Sequence, residues 1–456
     1  MRKNVFLVRF GEIWLKSERT RRRLIAMLEQ DISRRLSDEG IKARIYSIRG
    51  RIVVDPEDGW EQREKIKRVL ERIFGIVSFS PAIMVDTRLE DIEEVVLQFA
   101  EKIDGTFKLE VNRADKRFPI TSMELAKRLG GRLVEMGKRV DLKRPKHIIG
   151  VDIRQEASFV FMEEFAGPGG LPYGSQGRVL ALFSGGIDSP VAAWYITKRG
   201  CEVDLLFVNM FDESLEKRVY DTYFTLKDWL PGAKLFVARI PELRGVLAKI
   251  KEGYRQIAYK RFIYGLAEEF AMKIGADAIV TGESLGQVSS QTLKSLVAIE
   301  DKVKMPVFRP LIGFDKHETM KIARKIGCLG PSERVPEVCR METHSITNIS
   351  LDVARKLDNE MPDPRGFLDR IIEAKTAKDL FFDKESMEGY EIIHYPFDKK
   401  LDKGKKYIFV CKSGLEASLA ASKAREKGIE AYYLDEATFM KRNTGTKGGP
   451  SENSLE

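Results

Sequence analysis

The sequence predicts a multidomain protein in which an α+β amino-terminal region precedes an α/β region built on a parallel sheet. Three observations carry this. The chain has 456 residues, more than one hydrophobic core accommodates, which points to roughly three or four domains. From Val179 onward, apolar strand-like segments alternate with helical ones, the pattern of parallel strands joined by crossover helices. Between the two regions, Gly167-Pro168-Gly169-Gly170-Leu171-Pro172-Tyr173-Gly174 is dense in turn formers and reads as a linker over 167–178.

The elements follow in order. Val5–Phe10 alternates as a strand, Arg19–Leu36 has helical spacing, and Ala43–Ser47 and Arg51–Val54 are short strands. An amphipathic helix covers Glu61–Phe74. The next unit has helices at Leu89–Ile103 and Ser122–Gly137 and strands at Thr106–Asn112, Ile148–Ile153 and Ser158–Phe165. Beyond the linker come strands at Val179–Phe183, Val203–Val208, Lys234–Arg239 and Ala278–Thr281. Helices at Pro190–Lys198, Leu215–Trp229 and Tyr254–Ile274 lie among them. Met361-Pro362-Asp363-Pro364 marks a further boundary. A last strand-helix-strand unit holds Tyr407–Val410, Glu416–Lys427 and Ala431–Leu434, before a Gly/Ser/Asn-rich tail expected to be disordered from 441 to 456.

With 43% hydrophobic and 32% charged residues, the composition is that of a globular chain rather than a disordered one. No apolar run approaches the roughly 20 residues that span a bilayer, and the amino terminus lacks a signal-peptide pattern, so a cytoplasmic location without membrane association is expected. A formal charge of +9 favours a polyanionic partner. The four cysteines, Cys201, Cys328, Cys339 and Cys411, form no C-x-x-C pair, which argues against a zinc site or a disulfide framework.

The densest chemical signal is Ser184-Gly185-Gly186-Ile187-Asp188-Ser189-Pro190, directly after the wholly apolar Val179–Phe183. Paired glycines allow a tight turn with several exposed N–H groups, and a following helix adds its positive dipole end, so phosphate oxygens can approach closely. Asp188 is placed to hold Mg²⁺ at a pyrophosphate. The bland reading is a glycine turn whose Asp188 or Ser189 merely caps a helix. The Walker pattern is absent from this loop, which disfavours γ-phosphate transfer.

The loop resembles the PP-loop of ATP pyrophosphatases. Gly11-Glu12-Ile13-Trp14-Leu15-Lys16, the run from Thr281 to Leu293 (T-G-E-S-L-G-Q-V-S-S-Q-T-L) and Arg309-Pro310-Leu311-Ile312-Gly313-Phe314-Asp315-Lys316 are similar to the tRNA 4-thiouridine synthetase family. That resemblance implies a ferredoxin-like domain (1–58), a THUMP domain (59–166), a PP-loop ATP-pyrophosphatase domain with helices flanking a parallel sheet (179–365), and a short rhodanese-like α/β domain (375–440). It implies AMP-forming sulfur transfer to the uridine at tRNA position eight, with a link to thiamine thiazole synthesis. It places ATP against Leu182, Phe183, Phe207, Val208, Lys260, Gly282 and Gln291, beside the phosphate-loop residues Ser184, Gly185, Gly186, Asp188 and Ser189, and assigns Lys316 a role at the ATP phosphates. Lys260 reads equally as a surface charge, and Lys316, after Asp315 and before Glu318, opens a helix with a capping box.

Phe107–Arg113 and Lys116–Pro119 resemble the THUMP pattern, and from Lys127 to Lys146 there are eight Lys or Arg against two acids. Arg113, Lys116, Arg117, Lys127, Arg128, Arg132, Lys138, Arg139, Lys143 and Arg144 are therefore candidate tRNA contacts, mainly to phosphates. A solvated helix face is the alternative.

Cys411 ends an apolar strand, and Cys411-Lys412-Ser413-Gly414-Leu415-Glu416-Ala417-Ser418 leads into a helix whose N–H groups would favour a thiolate or persulfide. The loop resembles that of rhodanese. The resemblance makes Cys339, in Pro336-Glu337-Val338-Cys339-Arg340, the resolving cysteine that would leave a disulfide with Cys411, and implies a cysteine desulfurase as sulfur donor. Cys201 and Cys328 read as packing residues. A homodimer stays open, as do two other functions: thiolation of a different tRNA base, and RNA binding without catalysis.

Overall fold

The computed structural model describes residues 2–211, 213–336, 346–374, 382, 384, 386–394, 397, 399–411 and 415–444. The chain divides into two compact units, one of Met1–Val179 with Trp194–Val203 and one of Leu180–Ala193 with Asp204–Glu456.

The first unit is built on one nine-stranded sheet. Its order is Ala43–Ile48, Arg51–Pro56, Arg2–Phe10, Ile76–Val85, Ser158–Phe161, His147–Ile153, Thr106–Arg113 and Arg139–Val140, with Phe165–Ala166 also on Ile76–Val85. Ile76–Val85 is central, yet the sequence pattern contains no signal for it. Its residues IVSFSPAIMV are buried almost without interruption, so polar alternation is missing, and Pro81 sits mid-strand opposite Phe6, where proline normally argues against a strand. This strand carries the pairing through the unit, so the boundary expected at 58/59 falls within a continuous sheet. Helices Glu18–Asp38 and Arg63–Leu70 bury Leu24, Leu28, Ile32 and Ile66 against Phe6, Val8 and Phe79. Helices Leu89–Glu101 and Ser122–Glu135 bury Val96, Phe99, Leu129 and Leu133 against Ile149 and Val151.

The expected linker is instead pinned to this unit. Gly167 N and Gly169 N donate to Val77 O and Ile76 O at 2.9 and 2.7 Å, and Leu171 N donates to Lys198 O at 3.0 Å. Its glycines serve close backbone approach: a Cβ at Gly170, which has φ +82, would lie 2.0 Å from Lys198 O.

The second unit contains a six-stranded sheet ordered Val307–Phe308, Ala278–Val280, Arg178–Leu182, Glu202–Asn209, Leu235–Arg239 and Ile371–Glu373. Glu202–Asn209 pairs in parallel with Leu235–Arg239, as does Ala278–Val280 with Val307–Phe308. Ile371–Glu373 closes the edge antiparallel, so the chain re-enters this sheet after the turn at Met361–Pro364. Successive strands leave Arg178–Leu182 first on one side and then on the other. Such a switch point opens a crevice at the carboxyl ends of the strands, and the S-G-G-I-D-S-P loop leaves the sheet there. Helix Arg255–Ile274 packs with this sheet in one core that includes Leu180, Leu206, Ile257 and Phe262.

Tyr390–His394, Lys406–Cys411 and Ala431–Asp435 form a separate, wholly parallel three-stranded sheet. Helix Leu415–Glu426 covers one face through Ala417, Ala421 and Ala424. On the other face Phe439 packs with Ile408, Val410 and Leu434. This burial explains why helix Glu436–Thr444 runs into the stretch expected to be disordered; residues 445–456 lie outside the described residues.

Candidate active site and nucleic-acid interface

Strand Arg178–Leu182 ends at the glycine loop, and helix Asp188–Lys198 begins within it. Phe183 N donates to Leu206 O at 2.8 Å, fixing where the chain leaves the sheet. Gly185 has φ +77 and lies against Val219, a conformation and a gap that suit glycine alone. Thr222 Oγ1 donates to Gly185 O at 3.1 Å, and Gly186 N donates to Ser184 Oγ at 3.3 Å. Ser189 Oγ donates to Gly186 O at 3.4 Å. The loop is thereby shaped before any anion arrives.

Asp188 is the junction of the site. Lys316 Nζ donates to both its carboxylate oxygens, at 2.9 and 3.1 Å, and Gln287 Nε2 reaches Oδ2 at 3.3 Å. Lys316 opens helix Lys316–Lys325, whose Asp315/Glu318 capping box forms as expected. Both partners are only partly buried, so a phosphate can reach the ammonium. Gly282 follows strand Ala278–Val280 and lies against this junction: a Cβ there would sit 2.8 Å from the carbonyl carbon of Asp188 and 2.9 Å from Ser189 N. Gly282→Ala is therefore expected to displace the loop and weaken binding of a non-hydrolysable ATP analogue by about tenfold, as overpacking costs of about 1–3 kcal/mol imply. Calorimetric titration checks this; unchanged affinity would show that the loop tolerates the shift.

Other expected ATP residues behave differently. Gln291 and Ser290 are buried, and Gln291 Oε1 and Ser290 Oγ have no partner among the described residues. Unsatisfied buried polar atoms are costly, and Gln291 is one of the residues that the resemblance had set at the nucleotide. Phe207 and Val208 are buried in mid-sheet, and Leu182 packs on the same core as Val208. Lys260 is not a surface charge. Its ammonium is buried and donates to Glu283 Oε1 at 2.9 Å. Glu283 also accepts from Tyr264 at 2.6 Å, Thr281 at 3.1 Å and Arg309 at 2.9 Å. Burial alone would raise the Glu283 pKa, but Lys260 and Arg309 outweigh it and hold it down at about 2. Sequence reasoning missed this carboxylate and Gln287, although both lie in the run quoted above.

Cys411 ends strand Lys406–Cys411. Ala417 N donates to its Sγ at 3.3 Å, as the strand-to-helix geometry predicts. The sequence reading did not anticipate Glu416, whose buried carboxylate accepts from the thiol at 2.8 Å. Residues 412–414 and Cys339 lie outside the described residues. Cys201 is buried, and Cys328 is fully buried with its thiol pushed up to about 12 by desolvation, which suits packing rather than chemistry.

In the first unit, the candidate basic residues separate into two groups. Lys116, Lys127, Arg139, Lys143 and Arg144 are exposed. Arg117 is exposed but pairs with Asp115, and Arg128 and Arg132 reach Glu93. Arg113 instead donates to Phe118 O and Ile120 O at 3.0 and 2.9 Å, and Lys138 donates to Ile103 O at 2.9 Å. Those two brace loops, and their half-buried positions suit that work better than phosphate contact. Met123, Val140 and Leu142 are more than half exposed in the same region.

Comparisons with known proteins fit this organisation. The family model described as thiamine biosynthesis protein (ThiI) matches residues 174–358, the ThiI ferredoxin-like domain matches 5–80, and the THUMP domain matches 86–163. The tRNA sulfurtransferase of Thermoplasma volcanium is 34% identical, with 96% of this chain and 96% of that protein covered. This chain belongs to the tRNA sulfurtransferase (ThiI) family. A probable tRNA sulfurtransferase of Methanocaldococcus jannaschii is 37% identical over 70% of this chain and 87% of that protein, so family members differ in extent. A crystal structure of a 4-thiouridine synthetase–RNA complex with bound ATP is 29% identical. It matches with a TM-score of 0.70 over 81% of this chain and 99% of that one. PH1313 from Pyrococcus horikoshii Ot3 matches with a TM-score of 0.57 and 28% identity, over 71% of this chain and 99% of that one. The glycine loop, Asp188 and Lys316 all lie within the 174–358 match. Among the described residues, no helix is long and apolar enough to cross a membrane.

Proposed function

We propose that this chain uses ATP to insert sulfur into tRNA, adenylating O4 of the uridine at position eight and replacing that oxygen to give 4-thiouridine. The observation that carries the reading is the fold match to a 4-thiouridine synthetase bound to RNA and ATP, joined to a loop in which Asp188 and Lys316 meet at 2.9 Å. The glycine loop and helix start hold phosphates. Lys316 neutralises charge as the α-phosphorus is attacked. Adenylation converts a poorly departing oxygen into AMP. One carboxylate with phosphate oxygens satisfies what Mg²⁺ needs, so Asp188 would hold an ion brought with the nucleotide, and the ion would screen phosphate charge.

Sulfur arrives on Cys411 as a persulfide, in a domain read as rhodanese-like, and Cys339 resolves it. A cysteine desulfurase supplies that sulfur, and a supply route to the thiamine thiazole is consistent with the same carrier. The protein acts in the cytoplasm. The test is nucleoside analysis of tRNA after incubation with the chain, ATP and sulfide. The expected products are 4-thiouridine and an equal amount of AMP; AMP release with thiolation of another base would replace this substrate assignment.

The tRNA is held by the exposed basic surface of the THUMP domain, with recognition mainly of shape and of the acceptor end. Lys127→Glu combined with Arg139→Glu is expected to weaken tRNA binding about tenfold or more. It should also flatten the dependence of log affinity on log salt by about two phosphate contacts' worth. Filter binding across a salt series checks it; an unchanged slope would move the interface elsewhere.

A further inference from the structure

We infer that Glu416 is the acid–base residue of sulfur loading at Cys411. The inference rests on the reading of Cys411 as the persulfide carrier. Cys411 and Glu416 are each 5% exposed, and the thiol donates to the Glu416 carboxylate at 2.8 Å. The Ala417 N–H points at the same sulfur at 3.3 Å. The geometry thus sets the thiol against a proton acceptor, with a backbone donor placed for the charge that appears when the proton leaves. Glu416 also lines a cavity of about 430 Å³ whose walls include Phe397 and Phe409, whose lysines include Lys400, Lys423 and Lys427, and whose other carboxylate, Glu216, is paired with Arg239. The carboxylate thus touches the sulfur on one side and a basic-edged cavity on the other, which suits an anionic sulfur donor.

Glu416 takes the proton from Cys411 Sγ, and the thiolate attacks the outer sulfur of a donor persulfide. A new S–S bond forms at Cys411 while the S–S bond of the donor breaks. The donor leaves as a thiolate and is protonated by Glu416, which returns to its carboxylate form. One persulfide and one thiol are consumed and one of each is produced, so no external oxidant or reductant enters. Without the carboxylate, attack must wait for the small fraction of thiol that ionises unaided near pH 7. General-base assistance of this kind contributes roughly 10²–10⁴-fold.

A structural account also exists, in which Glu416 only favours the start of helix Leu415–Glu426 through its charge. The pH dependence separates the two. The experiment loads the full-length chain with glutathione persulfide from pH 6 to 10 and follows persulfide on Cys411 by mass spectrometry after rapid alkylation. Glu416→Gln is expected to load at least about tenfold more slowly at pH 7, with the deficit closing as pH rises through the ordinary thiol range near 8.5. Glu416→Asp, which keeps the carboxylate, is expected to retain the wild-type pH dependence at a lower rate. A glutamine variant that loads within twofold of wild type throughout, or that loses the same factor at every pH, would overturn the acid–base role. If wild type carries no persulfide on Cys411 after loading, and Cys411→Ser forms 4-thiouridine from the same donor as fast as wild type, the carrier reading itself fails, and the assignment of Glu416 with it.

Discussion

Asp188→Ala is expected to lower ATP-dependent AMP formation at least ~100-fold while leaving the fold intact, consistent with the loss of preorganised charge at a reacting phosphate. The carboxylate is held by Lys316 Nζ at 2.9 and 3.1 Å and by Gln287 at 3.3 Å, so its removal leaves both side chains without the group that positions them. The pair is only partly buried, Lys316 being 42% and Asp188 27% exposed. A solvent-accessible ion pair contributes about 0–1 kcal/mol to stability, so melting should barely move. Release of AMP from ATP in the presence of tRNA, measured beside a thermal melt, checks both halves. Near wild-type AMP release would mean that the loop binds nucleotide without Asp188. A collapsed melt would mean that Asp188 is structural.

Glu283→Gln should show the reverse emphasis. Glu283 is buried and shared by Lys260, Arg309, Tyr264 and Thr281. Neutralising it leaves the buried Lys260 without its counter-charge and Arg309 with Glu300 alone. Breaking a buried pair in this way costs about 3–5 kcal/mol, and the unit that contains the glycine loop is expected to melt several degrees earlier. The same carboxylate predicts an acid limb. Its folded pKa of about 2 lies below the roughly 4.3 of an unfolded glutamate. Its contribution is thus present in full above that unfolded value and is lost as pH falls toward 2. Denaturant titrations at pH 7, 4 and 3 on wild type and Glu283→Gln check this: the difference between them should shrink with acid. A difference that holds constant down to pH 3 would contradict the assignment.

What could be read in advance depended on whether partners were neighbours in the chain. The S-G-G-I-D-S-P loop is contiguous, and its strand-to-helix setting is local, so both were legible. The Asp315/Glu318 capping box was legible for the same reason. Lys316 meets Asp188 across 128 residues, and nothing in the sequence pointed to that pairing; the resemblance gave Lys316 only a role at the ATP phosphates. Lys260 shows how little a lone helical lysine reveals. A lysine on a helix gives no sign of which way it faces, and this one turns inward to Glu283, 23 residues on. Ile76–Val85 escaped notice because burial on both faces erases alternation and Pro81 argues against a strand. The glycine-rich stretch 167–174 imitates a flexible joint, while its glycines are there to let backbone approach backbone. At Cys411, the helix N–H was foreseeable and the carboxylate of Glu416 was not, since an acid in the first turn ordinarily reads as favourable capping charge.

The central claim is that uridine O4 attacks ATP and leaves as part of AMP. The most direct measurement uses tRNA whose target uridine carries oxygen-18 at C4, incubated with the chain, ATP and sulfide, with mass analysis of the AMP released. The account predicts that each 4-thiouridine formed is matched by one AMP bearing the heavy oxygen. Formation of 4-thiouridine with AMP that carries only ordinary oxygen would contradict it.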